Sequence, residues 1–134
     1  MADVISFLLK SNDYKQLKAM ALTEKQIQEV TAAGDAFLEK RRPPVEMRNQ
    51  LDLAYQIQGQ SVLVYEIRPR WNNPSEAMEP PVAKATFVQA QNHWKVFWMR
   101  ADLKWHSYSP KPTVKTIKAF FKLVDDDERA CFFG

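Results

Sequence analysis

Apolar residues recur at helical spacing in the first part of the chain that shows a clear pattern. They are Ile27, Val30, Gly34, Phe37 and Leu38. One stripe of a helix can therefore face a core. Thr23 and Gln26 have the spacing of a capping box, in which each side chain satisfies a backbone amide of the other residue. Pro43 and Pro44 cannot continue a helix, so the pattern predicts a helix from about Thr23 to Arg42.

From Leu51 onwards the hydrophobic period changes from 3.6 residues to two, which is typical of strands with one buried face. The predicted strands cover residues 51–58, 61–70, 82–91 and 94–103, with a two-residue turn at Gly59 and Gln60. The strand from Trp94 is apolar on both faces in its first half, which favours a central position. In its second half, Arg100, Asp102, Lys104 and His106 are expected on one face.

A second apolar stripe at helical spacing predicts a helix near the end of the chain. Its residues are Val114, Ile117, Phe120, Phe121 and Val124. We expect it to begin at about Thr113 and to stop at the acidic run 125–128, because carboxylates oppose the negative end of the helix dipole. The apolar residues 130–134 predict a short closing strand. These elements predict an α+β fold, with a four- to five-stranded, mainly antiparallel sheet packed by two main helices.

Composition favours one globular domain over residues 23–134, preceded by an extension with short helical turns over residues 1–22. The chain has 134 residues, of which 46% are hydrophobic and 26% are charged, a balance typical of folded proteins. Its apolar runs are shorter than the roughly 20 residues that span a membrane, and Asp3 lies where a signal peptide has basic residues. A single cysteine, Cys131, suits a reducing compartment. The sequence therefore predicts a cytoplasmic protein without a membrane segment.

Residues 69–81 lie between two predicted strands and contain four prolines. As a loop, this segment would be longer than most hairpin connections, which have about two to five residues. Long ordered loops often bind partners, but prolines can also stiffen a surface excursion that has no function. Both interpretations stay open.

The sequence contains no complete catalytic motif, no cofactor fingerprint and no cluster of metal ligands, so we expect no cofactor and assign no catalytic or metal residue. On one strand, Asp102 and His106 would lie about 13 Å apart, too far to bind one ion unless the strand ends between them. Asp52 and Glu66, followed by Arg68, resemble the Asp…Glu-x-Lys layout of magnesium-dependent nucleases. However, arginine cannot give up a proton near neutral pH. Catalysis therefore stays open but less favoured than binding.

Basic and aromatic residues coincide in the middle of the chain. Residues 60–112 contain seven basic and four acidic residues and all four tryptophans. Cationic side chains contact phosphates while aromatic rings stack on unpaired bases. The candidate binding residues are Arg68, Arg70, Trp71, Lys84, Arg100, Lys104, Trp105 and His106. They predict a small non-enzymatic module that binds single-stranded nucleic acid or another polyanion. In the alternative interpretation, these residues have a structural role and the arginines lie over tryptophans of the core.

A second function follows from Trp71, the proline-rich segment and an exposed sheet edge. These features suit a module for protein interaction or assembly, with a protein partner or with further copies of the chain. A nuclease-like enzyme that uses Asp52 and Glu66 is the third hypothesis.

Several short strings resemble a bacterial family known only as a domain of unknown function, number 3024. The strings are Glu66-Ile67-Arg68-Pro69-Arg70-Trp71, Trp94-Lys95-Val96-Phe97-Trp98 and Arg100-Ala101-Asp102-Leu103-Lys104-Trp105-His106, with Cys131-Phe132-Phe133-Gly134 at the end. The resemblance extends from about residue 24 to the C-terminus. It implies one domain in a bacterial cytoplasm, and no activity, cofactor or site residue.

Overall fold

The structure is a computed structural model, and it describes residues 21–133. Most of the predicted extension, residues 1–22, lies outside the described residues. Within residues 21–133, no helix is both long enough and apolar enough to cross a membrane.

Helix α1, Glu24–Arg41, matches the sequence prediction at both ends. The Thr23 hydroxyl accepts a hydrogen bond from the Gln26 amide, and the Gln26 side chain accepts one from the Thr23 amide, which completes the capping box. At the other end, the Arg42 amide donates to the Leu38 carbonyl before the two prolines. Local sequence is therefore sufficient to set the bounds of α1.

Seven strands form one antiparallel sheet in the described part of the chain. The strands are β1 (Asp52–Gln58), β2 (Ser61–Arg70), β3 (Asn73–Met78), β4 (Pro81–Val88), β5 (His93–Met99), β6 (Trp105–Ser107) and β7 (Thr113–Val114). The main order is β1-β2-β4-β5-β6; β3 pairs with the end of β2, and β7 pairs with the start of β5. Helix α2, Ile117–Asp126, follows β7. The α+β class and the two helices are confirmed.

The predicted number of four to five strands is too low, because β3, β6 and β7 were not predicted as strands. The largest difference lies in residues 69–81, which are not a loop. β2 continues to Arg70 and pairs with β3 across a two-residue turn, Trp71 and Asn72. The prolines led to the loop prediction, because proline lacks a backbone N–H and usually interrupts a strand. β3 tolerates Pro74 because, among residues 21–133, it pairs on one side only, with β2.

Three further boundaries differ from the prediction. Thr113 lies in β7, and the cap of α2 is Thr116, whose hydroxyl accepts a hydrogen bond from the Ala119 amide. β5 ends at Met99, and residues 100–104 form a turn in which Leu103 has a φ of 61°. Residues 130–133 form no strand; instead, the Phe132 and Phe133 amides donate to the Asp127 carboxylate.

Both helices pack on one face of the sheet, which we call the covered face. It carries Val62, Val64, Ala83, Ala85, Trp94 and Val96, and each of them is buried. Phe120 and Val124 of α2 and Val30 of α1 complete this core with no exposed surface. Burial of these apolar side chains is the main source of stability.

A close approach between α1 and β1 explains the glycine in the apolar stripe of α1. A Cβ atom on Gly34 would lie 2.5 Å from a ring carbon of Tyr55. The Tyr55 hydroxyl donates to the Asp35 carboxylate at 2.7 Å, and burial together with this carboxylate raises the pKa of Tyr55 to about 12. Gly34 therefore lets the helix lie directly against the sheet.

Ion pairs join the C-terminal end of α1 to both neighbouring elements. Arg42 forms two hydrogen bonds, of 2.7 and 2.8 Å, with the Asp52 carboxylate at the start of β1. Lys40 contacts the Asp125 carboxylate of α2 at 2.6 Å. These partners hold the pKa of both carboxyl groups below the usual range of aspartate. The basic residues at this end of α1 thus have structural roles.

Candidate functional site

The sheet face opposite the helices combines aromatic and aliphatic side chains with one lysine. We call it the open face and define it by Leu63, Tyr65, Lys84, Phe97, Met99 and Trp105. Each of these residues is half-buried. Within residues 21–133, both helices pack on the covered face instead. The open face therefore presents partly accessible rings on rigid strands.

Lys84 lies at the centre of the open face. Leu63 and Phe97 are its cross-strand neighbours on β2 and β5. Its ammonium nitrogen is 4.9 Å from the ring centroid of Phe97 and 4.8 Å from that of Trp105. Among residues 21–133, no carboxylate forms an ion pair with Lys84, and partial burial lowers its pKa. The rings supply the favourable contacts of this charge.

Seven of the eight sequence-predicted binding residues lie towards one end of the sheet, and the eighth, Lys84, lies in the middle of β4. At this end of the sheet, β2 lies beside the start of β4, since Tyr65 pairs with Pro81, and the end of β5 lies beside the start of β6, since Met99 pairs with Trp105. β3 pairs with the last residues of β2. We call this end of the sheet the hairpin end. The structure divides the eight residues among the open face, the β2–β3 hairpin, the turn after β5 and, for His106, the covered side of β6.

Two of the predicted cations are partnered within the β2–β3 hairpin. The Arg68 guanidinium donates to the Glu66 carboxylate at 3.1 and 3.2 Å, and Arg70 lies 3.4 Å from Glu76. Both arginine side chains are about half exposed, at 48% and 50%. The Arg70–Glu76 pair is exposed on both sides and is worth little, about 0–1 kcal/mol, so a phosphate could replace Glu76 at small cost. The Glu66 side chain is only 15% exposed, so its pairing with Arg68 costs more to break.

Trp71 lies at the tip of the hairpin, where 91% of its surface is exposed. β3 is also exposed at each of its six residues. The hairpin therefore projects from the domain and carries a large aromatic side chain at its tip.

The turn after β5 places Arg100, Lys104 and His106 differently from the sequence prediction, which put them on one strand face. His106 pairs with Trp98 and so belongs to the covered side, and the Arg100 guanidinium lies 5.3 Å from the Trp98 ring centroid. Lys104 is exposed and forms no ion pair within residues 21–133. Because β5 ends before this turn, the predicted common face does not exist.

The same turn brings Asp102 and His106 together. The His106 Nε2 atom is 2.8 Å from the Asp102 carboxylate, and this hydrogen bond lowers the pKa of Asp102. The separation of about 13 Å expected for one strand is wrong, because β5 ends at Met99, Asp102 lies in the turn and His106 belongs to β6. Among residues 21–133, no group of three or more His, Cys, Asp or Glu residues could hold a metal ion.

The register of β1 and β2 separates the carboxylates of the nuclease-like arrangement. Glu66 lies opposite Leu53, whereas Asp52 lies opposite Ile67. Because successive residues of a strand point to opposite faces, Asp52 and Glu66 lie on different faces. Each of them also forms an ion pair with an arginine. The geometry gives no support to one ion shared by these two residues.

Sequence reasoning missed four of the six residues of the open face. Leu63, Tyr65, Phe97 and Met99 were assigned only to alternating strand patterns, although they surround Lys84. The alternation of β5 contains the signal, because it places Phe97 and Met99 on one face. The pairing of that face with Trp105 and Lys84 requires the strand order, which the sequence does not reveal.

Comparison with known proteins identifies a family. The model of a family described as Domain of unknown function (DUF3024) matches residues 22–134, which is nearly the range of the resemblance seen in the sequence. No curated protein and no solved structure matches the chain.

Proposed function

The chain belongs to the DUF3024 family, a domain of unknown function, and we propose that it is a small non-enzymatic module that binds single-stranded nucleic acid through the open face. One observation carries the proposal: Lys84 lies between Phe97 and Trp105 on a sheet face that the described helices leave uncovered. We place this activity in the bacterial cytoplasm.

Aromatic rings on the open face suit unpaired bases. Trp105 and Phe97 are half-buried, so their edges are held by the sheet while part of each ring stays accessible. Bases stack on such rings with about 1–3 kcal/mol per base, and nearly without sequence preference. Bases within a duplex are already stacked on each other, so this contact favours single strands.

Cations around the rings suit the phosphates that link those bases. Lys84 is central and Lys104 directly precedes Trp105, whereas Arg100 lies in the same turn with its guanidinium over the Trp98 ring, on the covered side. Within residues 21–133, these three cationic side chains form no ion pair with a carboxylate. Arg68 and Arg70 lie farther along β2, where Arg70 pairs with the exposed Glu76 and Arg68 with the largely buried Glu66. A polyanion would therefore replace few contacts.

Replacing Lys84 by methionine tests the role of its charge. We expect Lys84→Met to weaken binding of short single-stranded DNA and to reduce the slope of log affinity against log salt by about 0.7, the value for one lost phosphate contact. The melting temperature should stay the same or rise, because partial burial disfavours the Lys84 ammonium. Fluorescence anisotropy at several salt concentrations and a thermal melt measure both effects.

Lys25→Met is the matched control, since Lys25 is exposed on α1, a helix of the covered face. It should leave the slope unchanged. If Lys84→Met bound DNA like the unaltered protein, with the same slope, the open face would not be the binding site.

Assembly is the second candidate function, and the exposure of Trp71 favours it. Trp71 is 91% exposed, and tryptophan is enriched among residues that dominate binding energy at interfaces. Met78 on the same hairpin and Leu103 on the neighbouring turn are also exposed.

A further inference from the structure

A groove runs between α1 and α2 on the side away from the sheet. Its α1 wall is made of Ala32, Ala33 and Ala36, and its volume is about 460 Å³. Phe37 and Phe121 form its floor, with ring centroids 5.2 Å apart. We call it the helix groove. The alanines leave space that larger side chains would fill, whereas the two floor side chains are themselves only 5% and 4% exposed.

The rim of the helix groove is positively charged. Lys40, Lys118 and Lys122 lie along it, against one carboxylate, Asp125. Lys40 and Lys122 are exposed at 73% and 75%, although each contacts an aspartate. Lys118 forms no ion pair within residues 21–133. An occupant with an apolar centre and carboxylates beside it would match both the floor and the rim.

The hairpin has these properties. Trp71 supplies the apolar centre at its tip. Glu76 and Glu79 follow the tip, whereas Arg68 and Arg70 precede it, and Arg70 lies 3.4 Å from Glu76. The groove volume of about 460 Å³ is within the range of roughly 300–1,000 Å³ that is usual for pockets that enclose small molecules. An indole ring therefore fits with space for part of the turn.

We propose that Trp71 of one copy inserts into the helix groove of a second copy, with Glu76 and Glu79 near the lysines of the rim. Trp71 is 91% exposed, so it does not occupy the groove of its own chain. The hairpin and the groove are different surfaces, so the contact is head-to-tail. Such contacts build open chains or closed rings rather than a two-fold dimer.

This inference rests on the assembly role and is independent of nucleic-acid binding. The experiment is therefore done without nucleic acid, by sedimentation velocity from about 10 μM to 1 mM protein. One hairpin in one groove is a small interface, and small interfaces associate weakly. The unaltered protein should show a concentration-dependent series of oligomers. Trp71→Ala should weaken association about 30-fold, which corresponds to about 2 kcal/mol for a dominant aromatic residue.

Two variants test directly whether Trp71 inserts into the helix groove. Trp71→Ala keeps the groove, whereas Ala36→Arg blocks the groove and keeps Trp71; arginine is a good helix former and Ala36 is exposed. Each variant alone should be monomeric. An equimolar mixture should form a 1:1 dimer and nothing larger, because only one complementary contact remains. Ile27→Ala, which removes another exposed apolar side chain of α1, should associate like the unaltered protein.

Three results would overturn the inference. A monomer at 1 mM would exclude self-association and leave Trp71 to a different partner. Oligomers that persist in Trp71→Ala would preserve an assembly role but on other surfaces. A mixture of the two variants that stayed monomeric would show that Trp71 and the helix groove do not meet.

Discussion

Phe120→Ala is expected to destabilise the domain by about 3–5 kcal/mol, the usual cost of removing a fully buried phenylalanine. Phe120 has no exposed surface, and its ring contacts Phe121 with centroids 5.3 Å apart. It lies at the layer where α2 meets the covered face, so the neighbouring elements can close the cavity only in part. For a domain of this size the loss is a large part of a total stability of about 5–15 kcal/mol.

Thermal and urea denaturation measure this effect. The melting temperature should fall by roughly 12–20 °C. Phe120→Leu keeps most of the volume and should cost less than about 2 kcal/mol. Lys118→Ala, on the exposed side of the same helix, should change stability by no more than about 0.5 kcal/mol. A Phe120→Ala protein as stable as Lys118→Ala would show that the helices do not pack on the covered face as described.

Trp105→Ala is expected to weaken binding of single-stranded DNA by about 5- to 150-fold, the equivalent of about 1–3 kcal/mol for one stacked base. Trp105 lies in the short strand β6, opposite Met99 and against the Lys84 ammonium. Because no charge is lost, the slope of log affinity against log salt should stay unchanged. This result would distinguish Trp105→Ala from Lys84→Met, for which the slope decreases.

Trp105→Phe is the matched control for stacking, since it keeps an aromatic ring at the same position. It should recover most of the affinity, and both variants should unfold at a higher temperature than Phe120→Ala, because Trp105 is only half-buried. If Trp105→Ala and the unaltered protein bound single-stranded DNA with equal affinity, Trp105 would not be part of the binding site.

Local signals in the sequence were sufficient for the elements that local interactions determine. The capping box of Thr23 and Gln26 and the turn at Gly59, with a φ of 59°, were both predicted where they occur. Thr113 shows the limit of such signals. Thr113 and Thr116 could each cap α2. Because Thr113 pairs with Lys95 in the sheet, Thr116 is the cap.

Strand pairing and strand order caused the other differences. Residues 73–78 have weak strand propensity, but β2 extends beyond its pairing with β1 and β4 and offers them a partner. Likewise, the end of β5 at Met99 brings Asp102 and His106 to 2.8 Å. The neighbours of Lys84 come from β2, β5 and β6. Such contacts depend on residues distant in sequence, so no local pattern contains them.

The most direct test of the proposed function is a fluorescence titration of Trp71→Phe with short single-stranded DNA and RNA at two salt concentrations. The substitution removes the signal of the exposed hairpin tryptophan and leaves Trp105 as the tryptophan on the open face. We predict quenching that weakens with salt, with a log–log slope of about −1.4 if Lys84 and Lys104 each contact one phosphate at about −0.7 per contact. A fluorescence signal that does not change at low salt would contradict nucleic-acid binding through the open face.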